Sequence, residues 1–207
     1  MSISNQIGSE VTSRSSIVSL ESILKRIDLE ATFTQLQPLE VELGSGDGSF
    51  LVNYASLHPE RSFLGVERLL GRIRKMDRKS RRAGLTNLRG VRIESSYFLQ
   101  YLLQPHSAIA LHIYFPDPWP KQKHRRHRLV NERFPDLAAQ ALAAGGKIFL
   151  RTDYEEYFEQ MGNVFRNCPG FQEINTPDEL MGQVTDFELD FQQRGVRTFR
   201  TAFQHTG

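Results

Sequence analysis

The chain has one cysteine, Cys168, among 207 residues. No intrachain disulfide can form, and a reducing cytoplasm is the expected setting. Metal-ligand clusters are missing too. Of six scattered histidines, only His124 and His127 stand at ligand spacing, and no second cluster matches them, so no metal site is expected. No run of 18 apolar residues occurs, which excludes a membrane-spanning helix. The opening MSISNQIGSEVTSRSS lacks the apolar segment of a secretory signal, and residues 1–16 are expected to form a flexible tail. Repeats, low-complexity blocks and interdomain linkers are also absent. What is present, 39% hydrophobic and 24% charged residues, suits a soluble protein with one buried core.

The net charge of +2 conceals clustering. Arg68 to Arg82 holds eight Lys/Arg and one Asp, and Lys121 to Arg128 holds five Lys/Arg and no acid, so the rest of the chain sums to −10. One cluster alone reads as a solvated helix face. Two clusters flanking candidate site residues read as a surface for a polyanion.

Strand-like runs alternate with helical patterns. LEVEL (39–43), SFLGVE (62–67), LRGVRI (88–93), AIALHIYF (108–115) and KIFLRT (147–152) read as strands. Helical spacing is expected over 17–27 with Ser16 as cap, in GSFLVNYASLH, LLGRIRKMDRKSRRAG and SYFLQYLLQ, over about 128–144, and in YEEYFEQMGNVFRN. FQEIN and RTFRTAFQ alternate like an antiparallel pair, separated by a polar loop. The expected fold is α/β: a doubly wound, mostly parallel sheet with an antiparallel edge and helices on both faces, in one domain over 17–207.

In VELGSGDGSF the first strand ends in Gly44, with Gly46 and Gly48 before a helix near Ser49. Such a turn lets a ligand approach the backbone closely. Ser49 occupies the place of a third dinucleotide-fingerprint glycine, which argues against NAD. About twenty residues on, Glu67 ends the second strand, where a carboxylate can accept both hydroxyls of a ribose. The pattern resembles Rossmann-like S-adenosyl-L-methionine-dependent methyltransferases. That resemblance implies Glu42 and Gly44 to Gly48 beside the methionine moiety, Glu67 on the ribose, and Glu94 and Ser95 near adenine.

The fourth strand runs into PDPWPKQKHRRHRLV (116–130), where three prolines hold Asp117 and Trp119 at the active edge of the sheet. This stretch, with TDYEEY (152–157), TDFELDFQQRG (185–195) and Phe199-Arg200, resembles the bacterial tRNA (guanine-N7-)-methyltransferases over roughly residues 38 to 203. The family usually has an arginine where this chain has His127. The resemblance implies methylation of N7 of a variable-loop guanine, guanine 46, in tRNA. Asp117 is then the catalytic carboxylate, shared between the cofactor and acceptor sides. Lys121, Asp153, Thr185, Asp186, Phe187 and Glu188 are substrate-binding, and Arg72, Lys75, Lys79, Arg82, Arg125, Arg126 and Arg128 follow the RNA backbone. The implied partner is tRNA, with the protein acting as a monomer or homodimer.

Alternatives remain for several residues at this stage. Trp119 either stacks on a base or packs its loop. Asp153 can cap the following helix, and Thr185 with Glu188 can form a local turn. DPWP also resembles the D-P-P-[YF] loop of enzymes that methylate exocyclic amines, and a tRNA-binding module without catalysis is the non-enzymatic reading.

Overall fold

Alternation along the strands decides where side chains go. In β2 (Leu39–Leu43), Leu39, Val41 and Leu43 enter one apolar core while Glu40 and Glu42 face the other side. In β5 (Ala108–Tyr114), Leu111 and Ile113 enter that core, and His112 and Tyr114 point away from it. In β6 (Leu142–Thr152), Ile148 and Leu150 oppose Phe149 and Arg151. The computed structural model describes residues 15–207, and these strands lie in one eight-stranded sheet.

The remaining strands are β1 (Ile17–Val18), β3 (Ser62–Val66), β4 (Leu88–Val91), β7 (Phe171–Ile174) and β8 (Phe199–His205), in the order β1-β4-β3-β2-β5-β6-β8-β7. Pairing is parallel from β1 to β6 and antiparallel where β8 meets β6 and β7. Helices α2 (Ser49–Leu57) and α3 (Leu70–Arg82) pack into the core on one face. The opposite core takes α1 (Leu29–Thr32), α5 (Phe134–Ala141), α6 (Glu155–Arg166) and a π turn (Phe98–Leu102) that continues the short α4 (Ser95–Tyr97). The chain winds outward from β2 through β3 and β4, then crosses back to β5 on the other side of β2. That reversal opens a crevice at the carboxyl ends of β2 and β5, where ligands bind in such sheets.

The turn from β2 into α2 depends on Gly48. Its φ is +77°, and a Cβ there would lie 2.2 Å from Met76 Cγ of α3. Glycine lets the two helices close on the loop.

Several expectations fail. Residues 17–27 are not helical: Ile17 and Val18 pair with Gly90 and Val91, and Ile23 and Leu24 are exposed. An isolated eleven-residue helix is marginal, and the free edge of β4 offers the chain a partner. Ser16 is no helix cap. Its N–H donates to Asp77 at 2.6 Å and its hydroxyl bonds Ser80 at 3.1 Å. Residues 1–14 of the expected tail lie outside the described residues. The helix expected over 128–144 starts at Phe134 instead, because Pro135 fits only its first turn. A 3₁₀ segment (Gln122–His127) and a loop precede it. The polar loop before the last strand contains two helices, α7 (Asp178–Met181) and α8 (Asp186–Gln193). Leu69, just before α3, is 46% exposed, whereas Ile73 and Met76 of the helix are buried.

Candidate active site

A cleft of about 450 Å³ lies at the crevice between β2 and β5. Gly44, Glu67, Leu69, Glu94 and Ser95 line one part, and Tyr114, Phe115, Asp117, Trp119 and His127 line the other. Motifs far apart in sequence therefore share one cavity. A larger open groove, about 840 Å³ between α5 and α6, is ringed by Glu132, Asp136, Glu156 and Glu159 and shares only Arg125 with the expected site residues.

Glu67 is nearly buried, and its carboxylate is fixed by two amides: Gly46 N–H donates at 3.1 Å and Leu69 N–H at 2.7 Å. Two fixed oxygens facing the cleft suit a pair of vicinal hydroxyls. Gly44 has φ +81°, and a Cβ there would meet nothing within 4 Å, so the backbone leaves room for a ligand. Glu42 is buried, with Oε2 unpaired among the described residues. Burial pushes its pKa up to about 8; Arg151 pulls it down, and Asp47 and Glu67 push it further up. A buried carboxyl lacking a partner suits a cationic group brought by a ligand. These features fit S-adenosyl-L-methionine, with its ribose diol and its cationic methionine end. Glu94 lines the same cleft while accepting from Ser96 N–H at 3.0 Å and Tyr97 N–H at 2.8 Å as the cap of α4.

Asp117 is exposed at the cleft and has no hydrogen bond among the described residues. Its loop is bent sharply: Phe115 and Trp119, each preceding a proline, have φ of +51° and +42°. Non-glycine residues rarely adopt this region, least of all before proline, and such strain concentrates at functional sites. Trp119 stacks on His124 at 5.9 Å, which favours loop packing over a free stacking face.

The other expected residues divide. Lys121 and Asp186 are exposed, and Phe187 is 53% exposed beside Phe115, with ring centroids 6.0 Å apart. Asp153 does not cap α6, whose cap position is Tyr154. Glu188 is fully buried. It accepts from Arg151 and Thr185 N–H, each at 2.9 Å, and from Arg200 at 2.5 Å, while Thr185 Oγ1 accepts from Glu188 N–H at 3.1 Å. This closed capping box gives Glu188 a structural role as the N3 residue of the helix. The buried Thr185 belongs to the same box, so both residues hold the helix that presents Asp186 and Phe187.

Along the basic clusters, Arg72, Lys75, Arg82 and Arg126 are exposed. Lys79 is tied to Asp47 at 2.8 Å and Ser49 at 2.5 Å, and Arg125 to Glu156 at 3.1 Å. Arg128 is 1% exposed and turns into the protein. Sequence reasoning missed Tyr114 and Arg151. The available signal was a polar residue at the end of an otherwise apolar strand.

Among known proteins, residues 36–201 match the family described as "Putative methyltransferase". A tRNA (guanine-N(7)-)-methyltransferase of Leifsonia xyli subsp. xyli is 40% identical over 178 residues, 84% of this chain and 78% of that one. The Nitrosomonas eutropha protein of the same name is 37% identical over 84% of this chain and 78% of its own length. The chain belongs to the tRNA (guanine-N(7)-)-methyltransferase family. It spans 62% of the Chromohalobacter salexigens member, at 37% identity. Among solved structures, the 16S rRNA methyltransferase KamB superposes with a TM-score of 0.62 at 16% identity, covering 87% of this chain and 94% of that one. A geranyl diphosphate methyltransferase solved with sinefungin gives 0.55 at 12% identity, covering 83% and 72%. These distant likenesses confirm the Rossmann-like fold. Family membership makes S-adenosyl-L-methionine the cofactor. Among the described residues, no group of three or more His, Cys, Asp or Glu is placed to hold a metal, and no helix is long and apolar enough to cross a membrane.

Proposed function

We propose that the chain methylates N7 of guanine 46 in the tRNA variable loop, giving 7-methylguanosine, and that it acts in the cytoplasm as a monomer or homodimer. The observation that carries this reading is the exposed Asp117 carboxylate, held on a bent loop in the cleft that also contains Glu67. When bound, S-adenosyl-L-methionine supplies an electrophilic methyl group on a sulfonium centre. Guanine N7 has an in-plane lone pair and loses no proton on methylation, so the protein needs no strong base. Its task is orientation, which can supply roughly 7–11 kcal/mol of the barrier. Asp117 accepts hydrogen bonds from guanine N1–H and the exocyclic amine, and this pairing selects guanine. Lys121, Asp153, Asp186 and Phe187 surround the target nucleotide. Arg72, Lys75, Arg82 and Arg126 follow the phosphates, and reaching N7 of a stacked guanine requires local opening of the RNA.

The test is incubation with labelled S-adenosyl-L-methionine and unmodified bulk tRNA, followed by nucleoside analysis. A 7-methylguanosine peak whose chain cleavage maps to position 46 supports the proposal. A different methylated nucleoside favours the exocyclic-amine reading. Bound tRNA without incorporation favours a binding module.

A further inference from the structure

Arg128 sits in the basic run, yet it is the member that turns inward. Its Nε donates to the carbonyl of Pro118 at 2.7 Å. Its fork holds Glu156 of α6 at 3.1 and 2.8 Å, it also donates to Gln160, and its guanidinium lies 4.7 Å from the centroid of the buried Tyr157 ring. Tyr157 Oη in turn accepts from Val130 N–H at 3.0 Å. The Pro118 carbonyl belongs to the Pro118–Trp119 peptide, one residue after Asp117 and leading into the strained Trp119. One side chain therefore fixes that peptide against α6.

We infer that Arg128 is a positioning residue, holding the Pro118–Trp119 peptide so that Asp117 faces the target base, and that it makes no contact with RNA. Charge alone does not do this. The planar fork engages a carboxylate with two donors while Nε engages the carbonyl, a geometry that lysine cannot reproduce. The inference rests on the acceptor role proposed above for Asp117.

Trp119 is the sole tryptophan, so its fluorescence reports on this loop independently of activity. The experiment compares wild type with Arg128→Lys, Glu156→Gln and Arg126→Ala. It records kcat at saturating tRNA, the tRNA Kd as a function of salt, and acrylamide quenching of Trp119. Arg128→Lys is expected to lower kcat by about 10–100-fold, since small misplacements of an orienting group have effects of that order. Its tRNA Kd stays within about twofold with the same salt slope, because the charge count is unchanged, and quenching of Trp119 rises. Arg126→Ala is expected to weaken tRNA binding and flatten the salt slope without changing the quenching. Glu156→Gln is read through kcat and Trp119 quenching, because it also frees Arg125 and so shifts tRNA binding in either case: kcat falls and quenching rises if Arg128 positions the loop. If Arg128 were a phosphate contact, both would stay as in wild type.

Weaker tRNA binding by Arg128→Lys with unchanged quenching overturns the inference, as does full turnover by that variant. Should wild type fail to methylate tRNA while Arg128→Lys still loosens Trp119, the loop-holding role stands and the functional reading falls.

Discussion

Asp117 lines the cleft and Glu42 lies buried on β2, and these surroundings lead to different expectations for the two carboxyl groups. Asp117 is exposed on a loop; Glu42 is buried, with its pKa pushed up to about 8 by burial. Asp117→Ala is expected to bind S-adenosyl-L-methionine nearly as well as wild type and to transfer methyl on the order of a hundredfold more slowly in single-turnover assays. Near-normal turnover would remove Asp117 from the mechanism. For Glu42 the sign follows from linkage. At pH 7 the free protein holds a proton on Glu42, and a cation placed beside it favours the anion, so binding releases that proton. Affinity for the cofactor then rises with pH, by at most about tenfold per unit, until Glu42 ionises in the free protein near pH 8. Calorimetry between pH 6 and 9 should show this slope in wild type and a smaller one in Glu42→Gln, which also controls for titration of the ligand. Equal slopes would mean that no cationic group sits at Glu42. Glycines, strand-end acids and a proline-flanked aspartate were legible because each stands beside its own element's end. The burial of Glu42 was not, because Arg151 and Tyr114 reach it from other strands.

Among the elements, the parallel strands read correctly because apolar side chains on both faces leave long apolar runs. Residues 17–27 misread because helical spacing says nothing about an open sheet edge nearby. The stretch TDFE shows a subtler limit. A threonine cap was legible, yet the burial of Glu188 was not, because its partners Arg151 and Arg200 arrive from β6 and β8. Burial alone would raise the Glu188 pKa, but the Thr185 amide, Arg151 and Arg200 outweigh it and hold the carboxyl below its ordinary value. The stability this provides is therefore full above the ordinary carboxylate range near 4.5 and is lost as pH falls through the lowered value. Glu188→Gln leaves two arginines facing a neutral amide, and breaking such a buried pair costs about 3–5 kcal/mol. Urea titrations at pH 7 should show that loss. As pH falls from 7 to well below 4.5, the variant should lose less further stability than wild type, its acid-sensitive group already being gone. An identical acid loss in both proteins would place the sensitivity elsewhere. Because α8 carries Asp186 and Phe187, the same variant is expected to raise the KM for tRNA.

Across the whole molecule, the two basic windows carry +12 on a body summing to −10. Exposure decides which of these charges can meet a phosphate. Lys79 and Arg125 are engaged by acids of the protein, and Arg128 is interior, whereas Arg72, Lys75, Arg82 and Arg126 stay exposed. Three of these four lie on α3, whose cap residue Leu69 lines the cleft, so a backbone tracking that helix leads to the Asp117 loop. Replacing Arg72, Lys75 and Arg82 together by alanine should weaken tRNA binding and reduce the slope of log K against log salt by about 2, given roughly 0.7–0.9 per phosphate neutralised. Cofactor affinity should change far less, although Arg72 lies 3.9 Å from Glu67 and contributes a small term. An unchanged salt slope would send the tRNA across another face. The rest of the chain sums to −10, so the positive charge offered to a polyanion is concentrated in these two windows. Under the proposed function, the basic strip sets affinity and the Asp117 carboxylate sets selectivity. The triple variant should therefore bind poorly yet still methylate only guanine N7, and Asp117→Ala should bind tRNA well and methylate little.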